Sequence, residues 1–565
     1  MKLKKTISKY ANLFILMAII LVVNFIGSKI YKRFDLTEEK RYSLSDPTKE
    51  FLRNLDDIVY VKVYLTGSLP SGMKELENST RDILNECKAY GGSNIDFEFI
   101  DLTAYSLEAQ EEEGKRLMEQ GLNPISLTVV ESGEQTQKVI FPGAIIEYKG
   151  RSKSLVLLEN QVGYDQFEIL NNSIALLEYK IANSIQKLQQ LTPPKISFTQ
   201  SNGELTQAEI GSILGTLQAD YMEVASLNLN EGFKIDQSID VVVIAKPTIP
   251  FDERQKFKLD QYVMNGGKIL WFVDGMSASL DSIQGKDFHL AQPLDLNLDD
   301  ILFKYGIRVN NDLIQDLQNT PIPLVTGEVG GVPQTQLFPW VFNPLLFTTN
   351  EHAITKNIDP VAGNFTNTLD TIRTEGIKKT ILLTSSAYSR AQFAPVRVYL
   401  GIIKDNPPPE AFQQPYLPTA VALEGTFTSV FKNRITDKYL ESIDTVEELS
   451  YREESMPTKM IVVSDGDIIR NQVSSTGNPL PLGFDRYSQS TYGNKTFVKN
   501  CIEYLIDDYN LIETRNKEIK LRQLDGIKLQ NERTFWQVLN IALPLALVFI
   551  FGLIFSLVRK RKYAR

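Results

Sequence analysis

The sequence predicts an α/β protein held between two membrane-spanning helices. Three observations carry this reading: a long uncharged stretch near each chain end, apolar strands alternating with amphipathic helices between them, and an acidic loop, Ser464-Asp465-Gly466-Asp467, where one such strand stops. At 565 residues the chain has room for roughly three ordinary domains. Nine of its 60 basic side chains sit in the two extreme tails, so the body between them is more acidic than the whole-chain net charge of −9. That balance excludes nucleic acid as a partner of the body.

Residues 10–28, YANLFILMAIILVVNFIGS, carry no charge, and at ~1.5 Å per residue they just span a ~30 Å hydrocarbon core. No A-x-A-like cleavage site follows, so the stretch reads as an uncleaved anchor. Residues 534–558 are also uncharged, opened by Phe535 and Trp536 at interface depth and closed by the basic tail 559–565. Two spans put tails 1–9 and 559–565 in the cytoplasm and the body outside it, because so long a loop translocates regardless of local charge. Asn12, Asn24, Asn540 and Pro544 lie within the spans and are candidate contacts with another membrane subunit, since amides in lipid seek partners.

Inside the first anchor, strands at 58–65 and 95–100 flank a helix at 73–90. A charged helix, strands at 126–130, 139–147 and 154–158, and a helix over 165–189 follow. This order over 35–190 resembles the thioredoxin-like fold, with Pro124 where that fold keeps a cis proline. The loop after the first strand, Thr66 to Ser71, holds no thiol, so dithiol exchange is excluded. Cys87 and Cys501 lie on apolar helical stripes and read as core residues.

Thr192-Pro193-Pro194 reads as a linker to a second α/β domain, 195–510. Its strands at 196–199, 221–227, 241–245 and 268–273 alternate with helices at 205–218 and 252–264, implying a mostly parallel sheet covered on both faces. Further strands fall at 380–384, 420–424 and 460–463, while 276–375 and 407–418 read as insertions or loops. Residues 511–533 read as a solvated helical stalk.

The chain lacks GxxxxGK[ST], GxGxxG, GxSxG and HExxH, and its two histidines, His289 and His352, leave little for a triad or a zinc site. Ser429 to Lys432 matches SxxK by letters without an accompanying KTG. The expectation is a non-enzymatic chain with no catalytic residue, metal or cofactor. Ligands of open α/β sheets gather beyond the C-terminal strand ends, and four such ends here are polar: Asn202 with Glu204, Lys246, Asp274, and Asp465 with Asp467, of which Asn202, Glu204, Asp274, Asp465 and Asp467 are the ligand-binding candidates. The competing reading is a tight Asp-Gly turn whose carboxylate caps nearby amides.

The segments LDQYVMNGGKILWFVDG, TAVALEGTFTSVFKNR, MIVVSDGDIIRNQ and PLGFDRYSQSTYGNKTFVKNCIEYL, with the two anchors, resemble the GldG family of gliding-motility-associated ABC transporter accessory proteins of Bacteroidetes. The resemblance implies a Rossmann-like, glutamine-amidotransferase-like second domain. It also implies a periplasmic subunit that binds substrate or envelope partners and works with a GldF-like permease and a GldA-like ATPase. Ser201-Asn202-Gly203-Glu204 departs from the Gly-His-Gly-Glu often seen in that family, and no G-x-C-x-G elbow occurs. Two rivals stand beside it: a membrane-tethered hydrolase using the acidic strand-end crevice, and a scaffold transmitting ATPase-driven motion.

Overall fold

The computed structural model describes residues 43–131, 134–159, 165–190, 192–330, 332–349, 352–405, 407–434, 451–507, 509–517 and 532–563, with 15, 17–22 and 24. Met1–Glu518 and Ile519–Arg565 form separate compact units.

The chain enters the first unit through α1 (Asp46–Arg53), whose N-terminus is capped by the Ser45 hydroxyl. Strands β1 (Val59–Val63) and β2 (Ile95–Phe99) pair in parallel across α2 (Ser71–Gly91). After α3 (Leu107–Glu119), β3 (Ile125–Glu131) and β4 (Glu134–Ile140) form a hairpin of their own. Then β5 (Gly143–Tyr148) pairs antiparallel with β1, and β6 (Arg151–Val156) with β5, giving the order β2-β1-β5-β6. The sequence reads one strand over 139–147. Pro142 divides it, because a residue without an N–H cannot continue the ladder. Ala394–Pro395 is the one cis peptide among the described residues, so the bond before Pro124 is trans.

Helix α4 (Gln166–Gln189) opens with a reciprocal capping box between Asp165 and Glu168. It is buried on nearly every side over 173–188, because it packs the first sheet and also carries Tyr179 into the core of the second.

That second sheet begins with β7 (Lys195–Thr199), α5 (Gln207–Ala219), β8 (Glu223–Leu227), β9 (Val241–Ala245), α6 (Glu253–Met264) and β10 (Lys268–Phe272). Residues 276–375, read from sequence as insertions or loops, in fact hold β11 (Asp312–Asp316) and the long hairpin strands β12 (Asn319–Val329) and β13 (Val332–Thr348). Prolines 321, 323, 333, 339 and 344 hide the strand pattern there, and proline is tolerated because the hairpin lies at the sheet's edge. β14 (Ile377–Thr384), β15 (Pro418–Gly425) and β16 (Thr458–Val463) complete the order β12-β13-β14-β15-β16-β10-β9-β7-β8. From β16 to β8 the pairing is parallel; from β12 to β16 it is antiparallel. The sheet is therefore only half parallel.

Alternate residues face opposite sides, as strand geometry requires. Val241, Val243, Leu270 and Phe272 meet α5 and α7 (Asn494–Ile506) on one face, with Cys501 among them. Val242, Ile244 and Trp271 meet α6 on the other. Cys87 is likewise buried and free. Residues Leu511–Asn516 form a 3-10 turn with Leu511, Ile512, Thr514 and Arg515 buried, so the solvated stalk read over 511–533 does not begin until after Lys517. Its remainder, 518–531, lies outside the described residues.

In the second unit, α8 (Arg533–Tyr563) is, among the described residues, the one helix long and apolar enough to cross a membrane. Asn540 and Pro544 lie within it and are exposed. Of the anchor read over 10–28, residues 15, 17–22 and 24 are helical and exposed, and the rest, Asn12 included, lie outside the described residues.

Phe272 is fully buried between α5 and α7. Phe272→Ala is expected to lower stability by about 3–5 kcal/mol, read as a drop in the urea midpoint.

Candidate functional site

Strands β9, β10 and β16 are adjacent and parallel, so their C-terminal ends open on the same edge of the sheet. Lys246, Asp274 and the Asp465–Asp467 loop meet there. Lys246 adopts a left-handed φ of 56° and its N–H donates to the Phe272 carbonyl at 2.9 Å, which turns the side chain toward the acidic groups. Its Nζ lies 3.1 Å from Asp274 Oδ2 and 2.5 Å from Asp467 Oδ2. Burial opposes the ammonium charge, but Asp274 and Asp467 outweigh it and hold the Lys246 pKa above its ordinary range. A Cβ at Gly466 would stand 2.5 Å from the Lys246 side chain, so the glycine of Asp-Gly-Asp makes room for this lysine.

Asp465 is fully buried. Its carboxylate accepts from Asn364 N at 2.7 Å, the Thr366 hydroxyl at 2.5 Å and Asp467 N at 2.9 Å. It thus caps the turn Gly466–Ile469 and pins the chain between β13 and β14 to the sheet. Burial, then Asp467 and Asp274, push its pKa up to about 8. Asp274 accepts from Gly466 N at 2.6 Å and is also shifted upward by burial. Asp467 is shared among Lys246, Asn364 Nδ2 at 3.1 Å and Arg470 at 3.4 Å, while Arg470 also reaches Glu209 at 2.6 Å.

Asn202 and Glu204 do something else. Asn202 Nδ2 donates to Pro250 O at 3.1 Å and Gln255 Oε1 at 3.0 Å, and Asn202 N donates to Glu204 Oε2 at 2.6 Å, tying the loop after β7 to the start of α6. The structure gathers Asp274, Asp465 and Asp467 around Lys246. It gives Asn202 and Glu204 a separate network.

A cleft of about 970 Å³ opens beside this cluster. Of the five sequence candidates Asp467 alone lines it, together with Glu209, Arg470, Asn364 and Asn494; Ile322 to Leu324 of β12 and Phe484, Tyr487 and Tyr492 add an apolar and aromatic wall. The sequence reading missed the wall. Its one pointer was the segment PLGFDRYSQSTYGNK, quoted for a resemblance and not for its chemistry. Among the described residues no group of His, Cys, Asp and Glu is arranged to hold a metal ion. Ser429 of the SxxK match is fully buried and donates to Asp260 at 2.6 Å, and His352 is buried against Tyr504 with its pKa pushed down to about 4.

The body is thus a mixed α/β structure with a ligand-sized cleft at the C-terminal ends of the parallel strands. It belongs to the family described as ABC-type uncharacterized transport system, whose model matches residues 193–501. A domain family of unknown function matches residues 38–147. An uncharacterized protein of Borreliella burgdorferi is 22% identical over 329 residues, 57% of this chain and 58% of that protein, so the chain spans little more than half of that relative. Among solved structures, the mmIFT52 N-terminal domain aligns with a TM-score of 0.31 at 13% identity, covering 56% of this chain and 98% of that one. The exo-β-1,4-mannosidase Op5Man5 of Opitutaceae bacterium strain TAV5 aligns at 0.18 and 9%, covering 38% and 31%.

Lys246→Met leaves Asp274 without its cation and Asp467 with Arg470 alone, and is expected to cost about 3 kcal/mol, measured by urea denaturation. Asp465 ionises near 8 when folded and near an ordinary ~4 when unfolded, so between those values the folded state keeps a proton that the unfolded state has released. Its contribution therefore falls as pH rises from about 4 to about 8. Asp465→Asn is expected to flatten the decline of melting temperature between pH 5 and pH 8; an unchanged decline refutes the assignment.

Proposed function

We propose that this chain is a non-catalytic subunit of an ABC transport complex, anchored in a bacterial inner membrane by both ends with its body in the periplasm. The cleft takes up the transported substrate or an envelope partner. The observation that carries this reading is the coincidence of the family match over 193–501 with the stretch that builds most of the cleft lining. The strand order β2-β1-β5-β6, with its parallel first pair, supports a thioredoxin-like reading of the first domain, and the parallel strands β8 to β16 support a glutamine-amidotransferase-like one for the second.

The resemblance to the GldG family adds a GldF-like permease and a GldA-like ATPase as partners, gliding motility as the setting and Bacteroidetes as the source. The amides Asn12, Asn24 and Asn540, with Pro544, are the proposed contacts with the permease. The hydrolase reading draws less support, because Asp274, Asp465 and Asp467 already spend their oxygens on Lys246, backbone amides and Thr366.

Mild-detergent purification of the full-length chain from its native membrane is expected to bring down a permease and an ATPase, and removal of residues 534–565 to lose both. An Asp465→Asn/Asp467→Asn double variant is expected to assemble normally. Recovery of the full-length chain alone refutes the subunit reading.

A further inference from the structure

The described stretches that begin at Ser43 and end at Lys517 meet on one buried carboxylate. Glu178 of α4 is 3% exposed. Its Oε1 accepts from Ser45 N at 2.7 Å, just inside the N-terminal connection, and its Oε2 lies 3.1 Å from Lys517 Nζ, just inside the C-terminal one. Lys517 Nζ also donates to the Ser43 carbonyl at 2.7 Å. Neither end has slack behind this junction. Leu44, Thr48, Phe51 and Leu52 are buried on one side, Leu511, Ile512 and Thr514 on the other, and the Phe51 and Tyr509 rings meet edge to face at 5.8 Å. Arg515 completes the seam, donating to Asn500 Oδ1 at 3.2 Å and to the Lys356 carbonyl at 3.1 Å.

We propose that Glu178 and Lys517 form a neck clamp that holds the incoming and outgoing chain side by side. A displacement of either connecting segment is then delivered to α4 and the whole first unit instead of being absorbed at the neck. The chemistry favours this role. A carboxylate desolvated this far needs compensation at both oxygens, and each oxygen takes it from a different connecting segment. Neither segment can pull away without leaving the carboxylate short of a partner, so the two ends release together or stay together. The clamp holds whatever the cleft binds, and its test needs no ligand or transporter.

Hydrogen exchange on the full-length chain in detergent micelles reads it directly, with the Ser45, Ile512 and Lys517 amides as reporters. Ser45 N is bonded to Glu178, Ile512 N to Asp507 Oδ2 at 2.7 Å, and Lys517 N to the Thr514 carbonyl at 3.2 Å. Lys517→Met is expected to speed exchange about tenfold at all three while the strands β9 and β10 stay protected. Lys517→Arg, which keeps the charge and the donors, is expected to restore most of the protection. Glu178→Gln keeps an acceptor for Ser45 but loses the ion pair, and is expected to loosen 512–517 more than Ser45. Faster exchange at 512–517 in Lys517→Met with Ser45 unchanged overturns the clamp. Equal loosening of β9 and β10 overturns it too, since it shows a general loss of fold.

Discussion

The structure depends on a helix that is buried on nearly every side and still carries charge. Helix α4 places Glu178 and Lys187 out of water, and isolated ions there would cost more than the fold can bear. Each is met from a different part of the chain. Lys187 sits 2.9 Å from Asp220 Oδ2 at the end of α5 and pairs with Glu503 of α7. Lys153 of β6 reaches Asp220 Oδ1 at 2.7 Å, and Lys499 reaches Asp220 Oδ2 at 2.8 Å. Burial opposes both carboxylates, but the lysines outweigh it, holding Asp220 well below its ordinary pKa and Glu503 at about 2. Because Lys153 and Lys187 come from the first sheet and its helix while Asp220, Lys499 and Glu503 come from the second, this network fixes one sheet against the other. The Tyr179 hydroxyl, donating to Glu503 at 2.5 Å, closes it.

A related device recurs around the large sheet, once on α6 and twice on β11, which pairs with 389–393 outside that sheet. Asp260 takes the Ser429 and Tyr305 hydroxyls, Asp312 takes Thr368, and Asp316 takes Ser386. All three are buried and shifted upward in pKa by that burial. Asp465, with Asn364 and Thr366, is the fourth of the kind. Seen beside the others, the acidic loop at the end of β16 holds an irregular crossing segment in place while its neighbour Asp467 reaches the cleft.

Much of the fold was legible because its cause is local. Strands β7, β9 and β10 are short apolar runs bounded by turn residues, and α6 announces itself through Asp252 and the capping box it makes with Gln255. The hairpin β12–β13 was illegible because its prolines imitate a loop, and only the sheet edge they occupy explains them. The candidate site was half legible. A strand-end rule finds Lys246, Asp274, Asp465 and Asp467, but no local signal shows that the lysine pairs with two of the acids or that Asn364 and Thr366, a hundred residues earlier, take Asp465 as a cap. The pairing of Glu178 with Lys517 is more distant still, 339 residues apart in the chain.

Helix α7 gives the cleft a property that none of its lining residues has alone. At its first turn Asn494 lines the cleft and exchanges hydrogen bonds with Ala362 while donating to the Ile468 carbonyl. Near its other end Asn500 and Glu503 are gripped by Arg515, Lys187 and Tyr179. At 13 residues the helix is a strut of about 20 Å, stiff along its axis. Its seat is set by Gly493, where a Cβ would stand 2.1 Å from the Asp359 carbonyl oxygen. The width of the cleft is therefore a matter of tolerance in an assembled frame: one missing methyl group at the near end and a handful of ionic bolts at the far end decide where that wall stands.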